Sequence, residues 1–270
     1  MARTFGQIIY WFCCVIVVLL FHTACSARAP NTPDSKSAQE AAPEKAQKST
    51  TNGPLQPGEY VTEKGWGRLQ LTKQGDTLLF SIASVMGEDG CTLSGEVEDG
   101  RGIANDDKTP AACAISLSQS EQGIEISAST PAECKGFCGY NAEFEGTYLT
   151  TKSGCSQNEI EQTRKAFKQL YDKKDYKPAL AKLSPVLTNC LQTLEWEEEG
   201  GIRNDLAITQ YKNGIYDECL ETLDQYTEDA KKDDDSVVEQ WTPALADRYL
   251  SIVKAARTNI ALCSNKSTKK

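Results

Sequence analysis

Polar and apolar residues alternate with a period of two between residues 58 and 150. Apolar side chains take every second position in several short segments: Leu69 and Leu71, Phe80 and Ile82, Cys91 and Leu93, Ile115 and Leu117, Ile124 and Ile126. Turn sequences rich in Gly and Asp separate these segments, which is typical of half-buried antiparallel strands. Six or seven such strands, with no helical stretch between them, predict a small all-β antiparallel barrel or sandwich over residues 58–150.

The pattern becomes helical after residue 155. Ser156 and Glu159 have the spacing of a capping box, and an internal repeat follows with an offset of 40 residues. The repeat aligns "RKAFKQLYDKKDYKPALAKL" with "NDLAITQYKNGIYDECLETL", so that Tyr171 matches Tyr211. Each copy predicts a helix, a short polar turn and a second helix. A partial third copy, "RTNIAL", lies near the end of the chain.

This repeat resembles the tetratricopeptide-repeat (TPR) family over residues 159–262. The resemblance rests on the tyrosines that flank each turn and on the pattern Tyr176-x-x-Ala179-Leu180, and the repeat is longer than the 34 residues of that family. It implies an all-α, TPR-like stack of helical hairpins over residues 155–264. Residues 265–270 are expected to form a disordered tail. The family usually binds peptides on a concave face.

An apolar run precedes both regions, from Ile8 to Phe21. It is shorter than the ~20 residues that span a bilayer and suits the apolar part of a secretory signal peptide. His22-Thr23-Ala24-Cys25 then resembles the bacterial lipobox, which implies a signal peptide at 1–24 and a lipidated Cys25. Ordinary cleavage near Ala27-Arg28-Ala29, or a retained helix, is the alternative.

Residues 25–57 are polar and rich in proline, and they predict a disordered tether. In bacterial lipoproteins, Ser26 after the lipidated cysteine implies sorting to the outer membrane. The expected location is therefore the bacterial cell envelope, lipid-anchored in the outer membrane and facing the periplasm or the surface.

Eight cysteines remain after Cys13, Cys14 and Cys25 are set aside. An even number in an oxidising compartment predicts disulfides. Cys91 and Cys113 share the phase of the inward-facing residues, and antiparallel helices bring the later cysteines together. The predicted pairs are Cys91–Cys113, Cys134–Cys138, Cys155–Cys190 and Cys219–Cys263. A redox role for Cys134 and Cys138 is the alternative, but the three intervening residues do not fit thioredoxin-type spacing.

The only histidine, His22, lies in the predicted signal peptide. A mature chain without histidine excludes Ser-His-Asp triads and His-ligated metal sites. We therefore expect a non-catalytic protein with no cofactor and no bound metal, and a carboxylate-dependent enzyme is the remaining catalytic hypothesis. The net charge of −9, without a basic stripe, argues against nucleic-acid binding.

Two segments are candidate binding sites. The segment "LEWEEEGG" holds Trp196, Glu197 and Glu198 and predicts either an acidic binding site or, as the favoured interpretation, a solvated loop with helix-starting acids. With Tyr171 and Tyr211 these residues form the predicted partner-binding set. The aromatic segment "GYNAEFEGTY", which begins at Gly139, alternates like a strand; this favours core packing over a binding face.

The expected function is that of an envelope-anchored lipoprotein that binds a protein or peptide partner through its helical domain and touches the membrane only through its lipid anchor. An inhibitor or immunity protein against a secreted, lysozyme-like hydrolase of the cell wall or membrane is the alternative. An acidic protein suits that role because cell-wall hydrolases are often basic, and complementary charge speeds capture.

Overall fold

The computed structural model describes residues 53–105 and 111–267. The predicted signal peptide, the lipidated Cys25, most of the predicted tether and residues 268–270 lie outside the described residues. The end of the tether is an exception, because Leu55 packs against the barrel core instead of standing free in solvent. It is the one large apolar side chain of that segment, so burying it removes apolar surface from water.

The first half of the described chain is a closed antiparallel barrel. Its eight strands are β1 (Gly58–Thr62), β2 (Gly67–Gln74), β3 (Thr77–Met86), β4 (Asp89–Glu98), β5 (Arg101–Ala104), β6 (Cys113–Gln119), β7 (Gly123–Ala128) and β8 (Gly146–Thr150). Each strand pairs with the next, and β1 pairs with β8 to close the barrel. Of the two predicted architectures, the structure therefore has the barrel, with more strands than expected.

Apolar side chains fill the interior of the barrel. The period of two directs one face of every strand inward, so Leu69, Ile82 and Ile115 have no exposed surface. Tyr148 is also fully buried, and its hydroxyl donates a hydrogen bond of 2.7 Å to the Phe144 carbonyl. An eight-stranded barrel is just wide enough for its side chains to fill it, so the interior is a core.

The segment between β7 and β8 differs from the prediction. A short helix α1 (Pro131–Cys134) begins it, and the chain from Gly139 to Glu145 is irregular, although its alternation predicted a strand. The Asn141 backbone N–H donates to the Asp89 carboxylate at 3.1 Å, and the Ser84 hydroxyl donates to the Glu143 carbonyl at 2.6 Å. These bonds hold the segment as a loop, and β8 begins only at Gly146.

The predicted disulfides of the barrel are wrong. The structure joins Cys91 to Cys138 and Cys113 to Cys134. Cys113 pairs with Ala104 of β5, and Ala104 pairs with Gly95 of β4. Cys113 therefore lies level with Gly95, which is four residues along β4 from Cys91. This places the two cysteines about 13 Å apart along the strands and about 9.5 Å across them, whereas a disulfide needs Cα atoms within about 7 Å.

Cys138 and Cys134 reach different partners because they stand in different backbone conformations. Cys138 is extended and pairs with Cys91 at the edge of β4, where β5 does not reach. Cys134 ends α1 with its side chain buried against the start of β6.

Six helices follow the barrel in the described part of the chain: α2 (Gln157–Asp172), α3 (Tyr176–Cys190), α4 (Trp196–Lys212), α5 (Tyr216–Thr222), α6 (Asp234–Val238) and α7 (Pro243–Ser267). The predicted capping box opens α2: Ser156 accepts from the Glu159 backbone, and Glu159 accepts from Ser156. The tail predicted from residue 265 is helical as far as Ser267. Lys266 stands in this last turn, where a cation is favourable to the helix dipole.

The 40-residue repeat is visible in the two turns that join α2 to α3 and α4 to α5. Lys174 and Gly214, which match in the alignment, both have positive φ. Asp175 donates to the Leu170 carbonyl and Ile215 donates to the Gln210 carbonyl, each at 3.0 Å. The sequence repeat is therefore a structural repeat of two helical hairpins.

The helical half carries the two disulfides that helix packing predicted, Cys155–Cys190 and Cys219–Cys263. With the two in the barrel, the described residues hold four disulfides, which fits a secreted or envelope protein. None of the helices within residues 53–105 and 111–267 combines the length and the apolarity that crossing a bilayer requires.

The two halves touch where the barrel meets the start of α4. Gly65, with φ of 69°, lies so close to the chain before α4 that a Cβ atom there would be 2.6 Å from the Glu195 nitrogen. The Gln157 backbone at the start of α2 also donates to the Glu59 carboxylate of β1 at 3.1 Å.

Candidate functional site

Helix α4 is the central helix of the second half and packs against α3, α5 and α7. Most of its surface is therefore buried, including Ile202, Leu206 and Ala207. The residues that solvent reaches along one side, here called the α4 stripe, are Glu197, Glu198, Gly201, Asp205, Ile208 and Lys212. They recur every three or four residues, so they share one face of a helix with 3.6 residues per turn.

Arg164 of α2 reaches across the α4 stripe. Its guanidinium lies 3.9 Å from the Glu198 carboxylate and 3.9 Å from the Asp205 carboxylate. A Cβ atom at Gly201 would lie 3.3 Å from the Arg164 Nη2, so the glycine leaves room for this side chain. Both carboxylates are too far for hydrogen bonds, which leaves the guanidinium donors able to bind a further acceptor.

A groove of about 640 Å³ follows α2 beside Arg164. Its wall includes Phe167 and Tyr171, and Asp205 contributes from α4. The Tyr171 ring lies 5.8 Å from the Phe167 ring and 5.3 Å from the Tyr176 ring. The groove therefore presents an aromatic wall next to a mixed set of charges.

Burial raises the pKa values of two side chains that line this groove, Asp205 and Tyr171. It raises the pKa of the Asp205 carboxyl, against the opposing effect of the Arg164 and Lys168 charges. It also raises the pKa of the Tyr171 hydroxyl, and the nearby Tyr176 and Asp205 add to that effect. An incoming cation that replaced the lost hydration of Asp205 would stabilise its charged form.

Three aromatic side chains cluster at the N-terminal end of the α4 stripe. The Trp196 and Trp241 rings lie 4.9 Å apart, and the Trp241 and Tyr249 rings stack at 4.3 Å. Arg248 lies 5.7 Å from the Trp196 ring centre and forms an ion pair with Glu197. All three rings are half-buried, and Trp, Tyr and Arg are the residue types enriched at binding hot spots.

The structure places four of the five predicted binding residues in the three features described above. Glu197 and Glu198 belong to the α4 stripe, Trp196 to the aromatic cluster, and Tyr171 to the groove. The favoured interpretation of "LEWEEEGG" was partly right, because these acids do begin a helix, with Glu195 capping it.

Tyr211 is the exception. Its ring lies 5.7 Å from that of Tyr216, which repeats the Tyr171–Tyr176 contact of the first hairpin. It therefore packs at the turn of the second hairpin, where the Lys212 ammonium of the α4 stripe lies 5.7 Å from the centre of its ring.

Sequence reasoning missed Arg164, Asp205, Arg248, Trp241 and Tyr249. Asp205 could have been found, because it lies two helical turns beyond Glu197 and Glu198 in the same helix. Trp241 and Tyr249 gave no local signal, since they are far from Trp196 in the sequence and meet it only through the packing of α7. Within the described ranges, no group of three or more Cys, Asp or Glu side chains is arranged to hold a metal ion.

No protein-family model, curated protein or solved structure matches this chain.

Proposed function

We propose that the protein is a non-catalytic binding protein of the bacterial envelope, whose helical half holds a peptide segment of another envelope or secreted protein along the α4 stripe. The observation that carries this proposal is the position of Arg164, which spans two carboxylates above Gly201 beside the Tyr171 wall. The TPR-like repeat supports it, because that family binds peptides along the inner helices of a stack.

The dimensions of the stripe suit a short extended segment. From Glu197 to Lys212 a helix rises about 22 Å, which an extended chain covers in six or seven residues. Main-chain and side-chain groups of such a peptide would meet four charged residues of the α4 stripe together with Gly201 and Ile208, with one aromatic site at each end.

The charges of the stripe define the chemistry of the peptide. Glu198 and Asp205 favour a Lys or Arg side chain, and the donors of Arg164 favour a carboxylate. Tyr171 and the aromatic cluster favour apolar side chains. The expected ligand is therefore a segment with both charge signs in its middle and apolar residues at its ends.

Peptide selection on the purified mature protein tests the proposal. Random peptides of seven to twelve residues are displayed on phage, and the selected sequences are measured by titration against the fluorescence of Trp196 and Trp241. We expect enrichment of the charge pattern above and at least about tenfold weaker binding for Arg164→Ala, which corresponds to about 1.4 kcal/mol.

Lys182→Ala is the matched control, because Lys182 is an exposed basic residue of α3. It should bind the selected peptides like the wild type, and circular dichroism should show both variants folded. Peptides that bind Arg164→Ala as tightly as wild type, or a selection without enrichment, would contradict the proposed groove.

A further inference from the structure

Three large apolar side chains are strongly exposed within the described residues, and all three lie at one end of the barrel. Val85 is 61% exposed, Met86 38% and Tyr140 97%. Single exposed apolar residues are ordinary on protein surfaces, but contiguous ones mark interaction sites. These three residues belong to the segments 85–90 and 138–143, here called the barrel tip.

Backbone pairing places the two segments side by side. Val85 pairs with Gly90 in the β3–β4 hairpin, and the Gly139 nitrogen donates to the Gly90 carbonyl at 2.9 Å. The Cys91–Cys138 disulfide fastens the same pair of segments. The segment around Gly90 therefore lies between the segment of Val85 and the segment of Tyr140. Met86 follows Val85, next to the hairpin turn.

Hydrogen bonds and close packing hold the backbone of the loop that presents Tyr140. Its ends form a turn in which the Ala142 nitrogen donates to the Gly139 carbonyl at 3.2 Å. The Asn141 nitrogen donates to Asp89 in the middle of the turn. Gly139 fits closely against the hairpin, since a Cβ atom there would lie 2.5 Å from the Asp89 Oδ1. The backbone that carries Tyr140 is thus held before binding, which lowers the entropic cost of ordering the loop on association.

The barrel tip is mainly acidic. Residues 85–90 and 138–143 contain the acids Glu88, Asp89 and Glu143, and one basic residue, Lys135, lines the same depression as Tyr140. An almost fully exposed tyrosine with a mainly acidic border complements a concave, partly apolar site with a basic rim. An anionic membrane surface would repel it.

We propose that the barrel tip docks into the active-site cleft of a secreted hydrolase of cell-wall polymers, with Tyr140 inside the cleft and the acids on its basic rim. Clefts are the concave sites that enzymes offer, and a cleft that binds an anionic polymer carries Lys and Arg at its border. The extracytoplasmic environment that the disulfides indicate is where such enzymes act. This site is separate from the α4 stripe, so either proposal can fail without the other.

The test measures inhibition of three purified, basic cell-wall hydrolases by the mature protein: a lysozyme, an amidase and an endopeptidase. We expect competitive inhibition of at least one, with an inhibition constant raised at least tenfold by Tyr140→Ala. Glu88→Lys should slow association most strongly at low salt. Glu98→Lys is the matched control, because Glu98 is an exposed acid at the opposite end of β4.

Three results would overturn this proposal. The first is inhibition of none of the three enzymes. The second is inhibition that Tyr140→Ala leaves unchanged while Arg164→Ala abolishes it, which would assign it to the α4 stripe. The third is Tyr140-dependent binding to vesicles of phosphatidylethanolamine and phosphatidylglycerol, which would make the barrel tip a membrane-contacting surface. Tyr140 is almost fully exposed, so its replacement does not threaten folding.

Discussion

Two adjacent glycines inside α4 predict opposite effects on stability when each is replaced by alanine. Alanine is favoured over glycine in a helix interior by about 0.8–1.0 kcal/mol, and this gain applies to both positions. The surroundings differ. A Cβ atom at Gly200 would lie 2.7 Å from the Ile252 Cδ1, 2.8 Å from its Cγ2 and 3.0 Å from the Tyr226 hydroxyl, whereas Gly201 faces only the end of Arg164.

Relief of the Gly200 contacts requires Ile252 to change its rotamer within the packed core or α7 to move. Carbon atoms are in optimal contact at about 3.5–4.0 Å, so the new methyl group would be about 1 Å too close to a side chain that is itself only 6% exposed. Moving α7 would stretch the bonds of 3.2 Å from the Asn204 amide to the Ile252 carbonyl and from the Asn259 amide to Asn204. Overpacking of this kind costs about 1–3 kcal/mol.

We therefore expect Gly200→Ala to lower the free energy of unfolding by about 1 kcal/mol and Gly201→Ala to raise it by about 0.5–1 kcal/mol. The assay is guanidinium unfolding under non-reducing conditions, followed by far-UV circular dichroism, which reports the helices. In the Gly200→Ala background, Ile252→Val should cost less than in the wild type, because it removes one of the crowded methyl groups. Equal stabilities of the two alanine variants would refute the close approach of α4 and α7.

Two further predictions concern the disulfides and the first helix. Proteolytic mapping of the oxidised protein should find peptides linked through Cys91–Cys138 and Cys113–Cys134, and a Cys91–Cys113 link would contradict the barrel described here. Hydrogen bonds from Ser156 and Gly154 lower the pKa of the Glu159 carboxyl below its ordinary value of 4.5. The ionised carboxylate therefore contributes fully to the stability of the fold above pH 4.5, and this contribution is lost as the pH falls through the lowered pKa. Glu159→Gln should therefore flatten the acid side of the stability curve, and an unchanged slope would argue against the capping box.

The parts of the fold that repeat were predictable, and the parts that depend on distant contacts were not. Alternation identified strands such as β2 and β3, because a half-buried strand must separate apolar from polar residues on its two faces. The same signal failed between Gly139 and Glu145, where Asp89 and Ser84 from the neighbouring hairpin hold the chain as a loop. A period of two cannot show which backbone groups a distant residue will bind.

The residues of the candidate site also fall into two groups, those that a local sequence pattern reveals and those that only helix packing brings to the site. Trp196, Glu197 and Glu198 stand out locally as an aromatic residue among acids at a helix start. Their partners do not, because Arg164 and Arg248 reach α4 from helices whose packing no short segment encodes. The error in the barrel disulfides has a similar cause: the phase of Cys91 and Cys113 was right, since both are buried, but their height along the barrel depends on the register of β5 between them.

The barrel disulfides have a consequence for how the protein matures. A chain that enters an oxidising compartment N-terminus first exposes Cys91 and Cys113 before Cys134 and Cys138. Linking cysteines in order of appearance would join Cys91 to Cys113. In the folded barrel the bridges are nested along the chain instead: Cys91 joins Cys138, and Cys113 joins Cys134 between them. A Cys91–Cys113 bond formed in this way would have to be exchanged, a step of seconds to hours that isomerases catalyse. The helical half needs no exchange, because its bridges join cysteines that follow one another in the chain. We therefore expect the loss of a disulfide isomerase to lower the yield of correctly paired barrel and to leave the two bridges of the helical half unaffected.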